Sequence, residues 1–212
     1  MDRDEGTTSL TRLAKHLESV ETDAIIAVLW PGDSFAGPLG YSWEGRDADD
    51  TAVELVKFIQ RTWPVPSRLS LSFVAHSKGC RVAMETAAGW CAETGERVEN
   101  LCLMAGAIDD DCLSGQDRYA DVVRGAGRVT VLASRSDRIL AYAYPLGGLL
   151  QAFLFLDDEA SFALGFLGPK PVGANRPVPS SVVPIQISRS RAHRHSDYLS
   201  PSGSFDIPLN KK

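Results

Sequence analysis

The chain has 212 residues, 44% of them hydrophobic and 23% charged, with a formal net charge of −5. Such a composition can bury a sizeable core, and the acidic balance argues against a nucleic-acid binder. The length suits one larger domain, and residues 1–212 are read as a single domain.

The opening Met-Asp-Arg-Asp-Glu-Gly is acidic and polar, unlike a secretory signal. Cys80, Cys91, Cys102 and Cys112 contain no C-x-x-C pair and histidines number only four, so no metal site is expected. Cys102, inside an apolar run, reads as a small buried hydrophobe rather than half of a disulfide. The expected setting is reducing and cytoplasmic.

Thr8 or Ser9 is placed to cap a first helix, whose Leu10, Leu13, Ala14, Leu17 and Val20 follow the 3.6-residue period. His16 on it reads as a surface residue. Ala24–Trp30 is a continuous apolar run closed by Pro31-Gly32, the pattern of a strand buried on both faces. Asp50, or Thr51 with Glu54 three positions on, opens a second helix burying Val53, Val56, Ile59 and Trp63. Leu69–Ala75 is the next strand, and a helix runs from Lys78 to about Ala92 with Cys80, Ala83, Ala87, Ala88 and Cys91 on one small-residue side.

Leu101–Ala105 and Val129–Ala133 are further strands, separated by a weakly helical stretch near Asp117–Arg124. Leu140–Leu156 carries no charge, but Pro145, Gly147 and Gly148 interrupt it. It is shorter than the roughly 20 residues a spanning helix needs, so it reads as a buried or lid-forming segment and no membrane span is expected. Residues 139–180 are a candidate lid or insertion. Val182–Ile187 is the last strand. Strands alternating with helices imply parallel pairing through right-handed crossovers, hence a three-layer α/β sandwich with a mostly parallel sheet.

Parallel sheets of this kind put their chemistry at the carboxyl ends of strands. There the run Phe-Val-Ala-His-Ser-Lys-Gly-Cys-Arg, residues 73–81, breaks from strand into helix. A sharp turn at that point holds one serine oxygen clear of the sheet, and the residues two before and two after it must be small. Ala75 and Gly79 meet that demand around Ser77. The turn also aims the amide of Lys78, at the helix N-terminus, toward any oxyanion forming beside Ser77. The Lys78 side chain is read as solvated, and His76 as pointing away from Ser77.

A serine nucleophile needs a base, and the base an orienting acid. Asp137 follows the Val129–Ala133 strand and His195 follows the last one, so both stand at carboxyl ends, in the chain order Ser, acid, His. His193 competes for the base. Asp109, Asp110 and Asp111, after the third strand, compete for the acid.

With Trp30-Pro31-Gly32, the elbow Ala75-His76-Ser77-Lys78-Gly79, Ser134-Arg135-Ser136-Asp137 with Tyr142 downstream, Ala163-Leu164-Gly165-Phe166-Leu167-Gly168-Pro169 and His195-Ser196-Asp197-Tyr198, the chain resembles a family. It is similar, over roughly residues 10–200, to bacterial α/β-hydrolases of largely uncharacterised function, related to lipases and esterases. The resemblance implies an α/β-hydrolase-like fold and Ser77, Asp137 and His195 as the triad. The pattern departs from that family in one respect. A strand ending in a His-Gly type loop normally precedes the first helix and supplies a second oxyanion donor, and only Met1–Thr7 stand there. Either the chain is a relative lacking the N-terminal strands, or Ala24–Trp30 lies beside Leu69–Ala75 and its loop, at Gly32, lends the amide.

The leading expectation is a serine hydrolase of a small-molecule carboxylic ester or thioester, with no cofactor. The rival is a non-catalytic binding protein of the same fold whose oxyanion hole is incomplete. Arg189, Arg191 and Arg194, with His193 and His195, invite a nucleic-acid or phosphate contact, but they are read as a solvated loop on a chain of this charge.

Overall fold

The computed structural model describes residues 3–18, 20, 22–30, 41–64, 69–114, 119–142, 162–172, 176–187 and 195–199. Its centre is a sheet of four parallel strands in the order β1 (Leu71–His76), β2 (Val98–Met104), β3 (Arg128–Ala133) and β4 (Val182–Gln186). The helices are α1 (Arg3–Leu17), α2 (Tyr41–Thr62), α3 (Gly79–Thr94), α4 (Ala120–Gly125) and the single turn α5 (Leu164–Leu167). Residues 138–142 are also helical. The chain is thus α/β with an all-parallel sheet and flanking helices, as the alternation of elements implied.

Side chains alternate across β2 with the two-residue period of a strand. Leu101 and Leu103 enter one core with Met84, Ala87 and Trp90 of α3 and Val122 and Val123 of α4. Cys102 and Met104 enter the other, with Leu132, Leu140 and Tyr198, against which Leu13 of α1 packs. Both faces are therefore covered, which explains why β2 and β3 read as continuous apolar runs. Burying a side chain the size of Leu101 or Met84 contributes about 1.5–3 kcal/mol each. The small side of α3 lets it lie so close that the Cys80 thiol reaches the carbonyl oxygens of Ala75 and Met104 at 3.5 and 3.6 Å.

Two helix starts move from their expected places. α1 begins at Arg3, ahead of Thr8 and Ser9, and α2 begins at Tyr41, ahead of Asp50 and Thr51. The reason at Thr51 is local: its Oγ1 donates back to the Asp47 carbonyl at 2.6 Å, so the hydroxyl serves the preceding turn instead of capping a new one. Thr11 does the same toward Thr7 at 2.8 Å.

Ala24–Trp30 is the main correction. It is not a strand: residues 24–30 form no ladder, and Ile25, Ile26 and Leu29 are exposed. An apolar run becomes a strand only where another backbone accepts its hydrogen bonds. Among the described residues β1 therefore pairs on one side alone, and five of its six residues are only half-buried, whereas β3 is buried from Val129 onward. At the far edge β4 carries Pro184, whose missing N–H an edge strand tolerates. No helix among the described residues is long and apolar enough to cross a membrane. Residues 143–161, most of the Leu140–Leu156 run and the core of the candidate lid, lie outside the described residues.

One close approach carries a test. A methyl group on Gly165 would stand 2.3 Å from the Ala105 carbonyl carbon and from the Gly106 nitrogen, both backbone atoms that cannot step aside. Gly165→Ala should destabilise the protein by about 1–3 kcal/mol or more through overpacking. Gly125→Ala, where the nearest atom is the flexible Arg97 stem at 3.8 Å, should be close to neutral. Thermal unfolding of the two variants checks this, and equal midpoints would refute the packing argument.

Candidate active site

Ser77 has φ = 55°, left-handed backbone that a side chain with a Cβ adopts at a cost of about 1–3 kcal/mol. Neighbouring backbone holds it there. The Ser77 N–H donates to the Met104 carbonyl at 2.9 Å, and the Ser77 carbonyl accepts from Ala107 and Cys80 N–H, each at 3.1 Å. The turn that starts α3 is therefore stitched to the end of β2 on both sides of the strained residue. A second such residue lies directly across: Ala105, just past β2, has φ = 46° and donates its N–H to Leu132 at 3.1 Å.

Asp137 follows β3 through a tight turn in which its N–H donates to the Ser134 carbonyl at 3.1 Å. Its Oδ1 accepts from the N–H groups of Ile139 and Leu140, both at 3.1 Å, and its carbonyl accepts from Ala141 at 3.0 Å. Asp137 thus caps helical residues 138–142. The carboxylate is fully buried, so these donors and one more partner must replace its lost water. That partner is His195, whose Nδ1 lies 2.8 Å from Asp137 Oδ2.

A carboxylate only accepts, so His195 carries its proton on Nδ1. Nε2 is then left with a lone pair toward the Ser77 hydroxyl, whose Oγ is 2.8 Å away. The structure therefore brings together Ser77, His195 and Asp137 in one continuous chain of hydrogen bonds, from three strand ends spaced about 60 residues apart. Such a chain can move a proton from the serine to the imidazole while the carboxylate stabilises the resulting cation.

The other named residues fall elsewhere. Asp109 is exposed, and Asp110 is buried with its carboxylate 3.0 Å from Lys170 Nζ. Burial pushes the Asp110 carboxyl above its ordinary value, and the hydrogen bond and charge of Lys170 oppose that shift. The pair clasps residues 162–170 to the loop after β2, together with Asp110 N–H to Phe162 and Lys170 N–H to Asp110, at 2.9 and 2.8 Å. Asp111 is half-buried and His16 is exposed on α1. Gly32, His193 and Arg189, Arg191 and Arg194 lie outside the described residues. Lys78 is half-buried rather than fully solvated, and desolvation lowers its pKa from the ordinary value.

The His76 ring packs beside the site, against His195 and Tyr198. The centroid is 4.8 Å from that of His195 and 5.9 Å from that of Tyr198, and Nε2 lies 2.7 Å from the His195 carbonyl oxygen. A carbonyl can only accept, so His76 is the Nε2–H tautomer. Burial first, and the charge of His195 second, lower its pKa from 6.5 to about 4, against the opposing pull of that carbonyl and of Asp137.

Residues 4–150 match the profile of the alpha/beta hydrolases of unknown function (DUF900), and the chain belongs to that family. The match includes Ser77 and Asp137 and ends before His195. No curated protein and no solved structure matches the chain.

The depressed His76 value makes stability depend on pH. Above about 6.5 the ring is neutral in both folded and unfolded chains, and its contribution is fully present. As pH falls toward about 4 the unfolded chain takes up a proton that the folded one refuses, so stability is lost across that window, by on the order of 3 kcal/mol. Urea unfolding from pH 7 to pH 4 should fall more steeply for wild type than for His76→Gln, which has no ring to titrate. Parallel curves would show that His76 titrates alike in both states.

Proposed function

We propose that this alpha/beta hydrolase is a serine hydrolase that cleaves a carboxylic ester or thioester through an acyl-enzyme on Ser77. The observation that carries the reading is the pair of 2.8 Å hydrogen bonds linking Ser77 Oγ to His195 and His195 to Asp137. Ser77 Oγ attacks the acyl carbon as its proton passes to His195 Nε2, giving a tetrahedral oxyanion. The oxyanion collapses, expelling the alcohol or thiol, which takes the proton back from His195. Water then repeats the sequence in reverse: it loses a proton to His195, attacks the ester on Ser77, and releases the acid and the free serine. Asp137 holds the imidazole in the Nδ1–H tautomer and offsets its charge while it is protonated.

The amide of Lys78, first residue after the nucleophile, is the proposed primary oxyanion donor, at the N-terminal end of the 16-residue α3. The second donor is assigned to the loop containing Gly32. One observation favours the competing reading of a non-catalytic binding protein. Among the described residues, β1 has no partner on its outer side and no strand delivers that loop to Ser77.

A fluorophosphonate probe separates the two readings. It should label wild type and not Ser77→Ala, and a wild type that resists labelling while folded would favour the binding protein. Asp137→Asn keeps the shape of the side chain but turns an acceptor into a donor and stabilises the wrong imidazole tautomer. It should cost about 10⁴-fold in kcat on p-nitrophenyl esters, as the same substitution does in a serine protease. Asp109→Asn and Asp111→Asn should keep most of the activity. A wild-type rate in Asp137→Asn would remove the acid from the scheme.

A further inference from the structure

His76 takes no part in the reaction as written, yet it touches the proposed base twice. Its ring lies against the His195 ring with an interplanar angle of 51°, and its Nε2–H donates to the His195 main-chain carbonyl at 2.7 Å. His195 lies 58 positions after Asp137 and 118 after Ser77 in the chain. Its two ring bonds orient the imidazole, and the bond from His76 adds a hold on the backbone from which the ring hangs. His76 is also the last residue of β1 and the neighbour of Ser77, so any movement of the strand end carries nucleophile and carbonyl anchor together.

We infer that His76 is a positioning residue, tying the main chain of His195 to the strand end that bears Ser77 and so fixing the distance from base to nucleophile. Three features set the chemistry of the contact. The acceptor is a carbonyl, so the group must donate; it must reach as far as an imidazole Nε2; and it must stay neutral beside an imidazole that gains a proton during turnover. The groups facing it are His195, Asp137 and Tyr198, and its lowered pKa keeps the ring uncharged near neutral pH. Phe meets none of the hydrogen-bonding demands though it fills the space, Asn donates but falls short, and Gln meets all three.

The inference rests on His195 as base where turnover reports it, so the test adds a readout that needs no turnover. His76→Phe and His76→Gln are compared by p-nitrophenyl acetate hydrolysis and by the 15N shifts of the His195 ring. The ring nitrogens are well separated when the imidazole is locked as the Nδ1–H tautomer. In His76→Phe, kcat should fall on the order of 10- to 100-fold with KM moving no more than about twofold, since an ill-placed base costs the chemical step rather than binding. The two nitrogen shifts should draw together. His76→Gln should recover most of the rate and keep the wild-type separation. If His76→Phe fails to fold, His76→Asn takes its place and should show the same losses. Wild-type nitrogen shifts in the Phe variant or in the Asn variant that replaces it, or losses in the Gln variant equal to theirs, would overturn the inference and leave a packing role. Should wild type turn over no ester while the Phe variant still loses its nitrogen separation, the hydrolase reading falls and the positioning role stands.

Discussion

The strained backbone at Ser77 is the constraint around which the site is arranged. A residue with a Cβ persists at positive φ only when its surroundings over-determine it, and here three backbone hydrogen bonds do so. Two of the three, from Ser77 N–H to Met104 and from Ala107 N–H to Ser77, depend on β2 and the loop after it being in register. That loop is in turn strained at Ala105, and Gly165 closes over it because nothing larger fits against the Ala105 carbonyl carbon. The Gly165 carbonyl also accepts from Ser134 N–H at 2.9 Å, at the entrance to the Asp137 turn. One glycine thus links the backbone that strains Ser77 to the backbone that places Asp137. The Asp110–Lys170 clasp, a few residues away, keeps that glycine in position.

Asp137 presents the opposite problem, a charge out of contact with water. A buried carboxylate is tolerated only when its lone pairs are used, and its two oxygens take N–H groups from Ile139, Leu140 and His195. Capping a helix and orienting an imidazole are therefore one solution to one desolvation cost. Asp110 solves the same problem by a different route, through the Lys170 ammonium. Position separates the two acids that the sequence left in competition: His195 Nδ1 lies 2.8 Å from Asp137 Oδ2, whereas Asp110 faces Lys170 Nζ at 3.0 Å.

Elements buried on both faces were the most readable. Leu101–Ala105 and Val129–Ala133 show continuous apolar runs because both their faces meet cores. Ala24–Trp30 shows an equally apolar run and is no strand, because composition records the cost of exposure but not whether a ladder partner exists. Thr51 misled for a similar reason: a hydroxyl that caps a helix and one that bonds back four residues are the same residue in sequence. The elbow was legible because Ala75 and Gly79 frame Ser77 and a helix follows. The contact of His76 with His195 was not. Strand alternation sends neighbouring side chains to opposite faces, but at Ser77 the chain leaves the strand, and the direction of the preceding ring follows from where His195 arrives. Asp110 gave no signal either, since its partner Lys170 lies 60 positions on, in an irregular stretch.

That arrival has consequences for how the site is built. The hydrogen-bonded chain draws on segments at residues 77, 137 and 195, each delivered by a different parallel strand. Parallel pairing allows no short cut between them, because each crossover must be complete before the next strand end reaches the same edge. Residues 195–199 then dock on Leu13 of α1 through Tyr198 and Leu199, so the last part of the described chain rests on the first. The three groups consequently become neighbours only when the fold is closed from end to end. The contacts that the proposed scheme leaves out, from His76, Gly165, Asp110 and Leu13, hold these segments where Ser77, Asp137 and His195 meet.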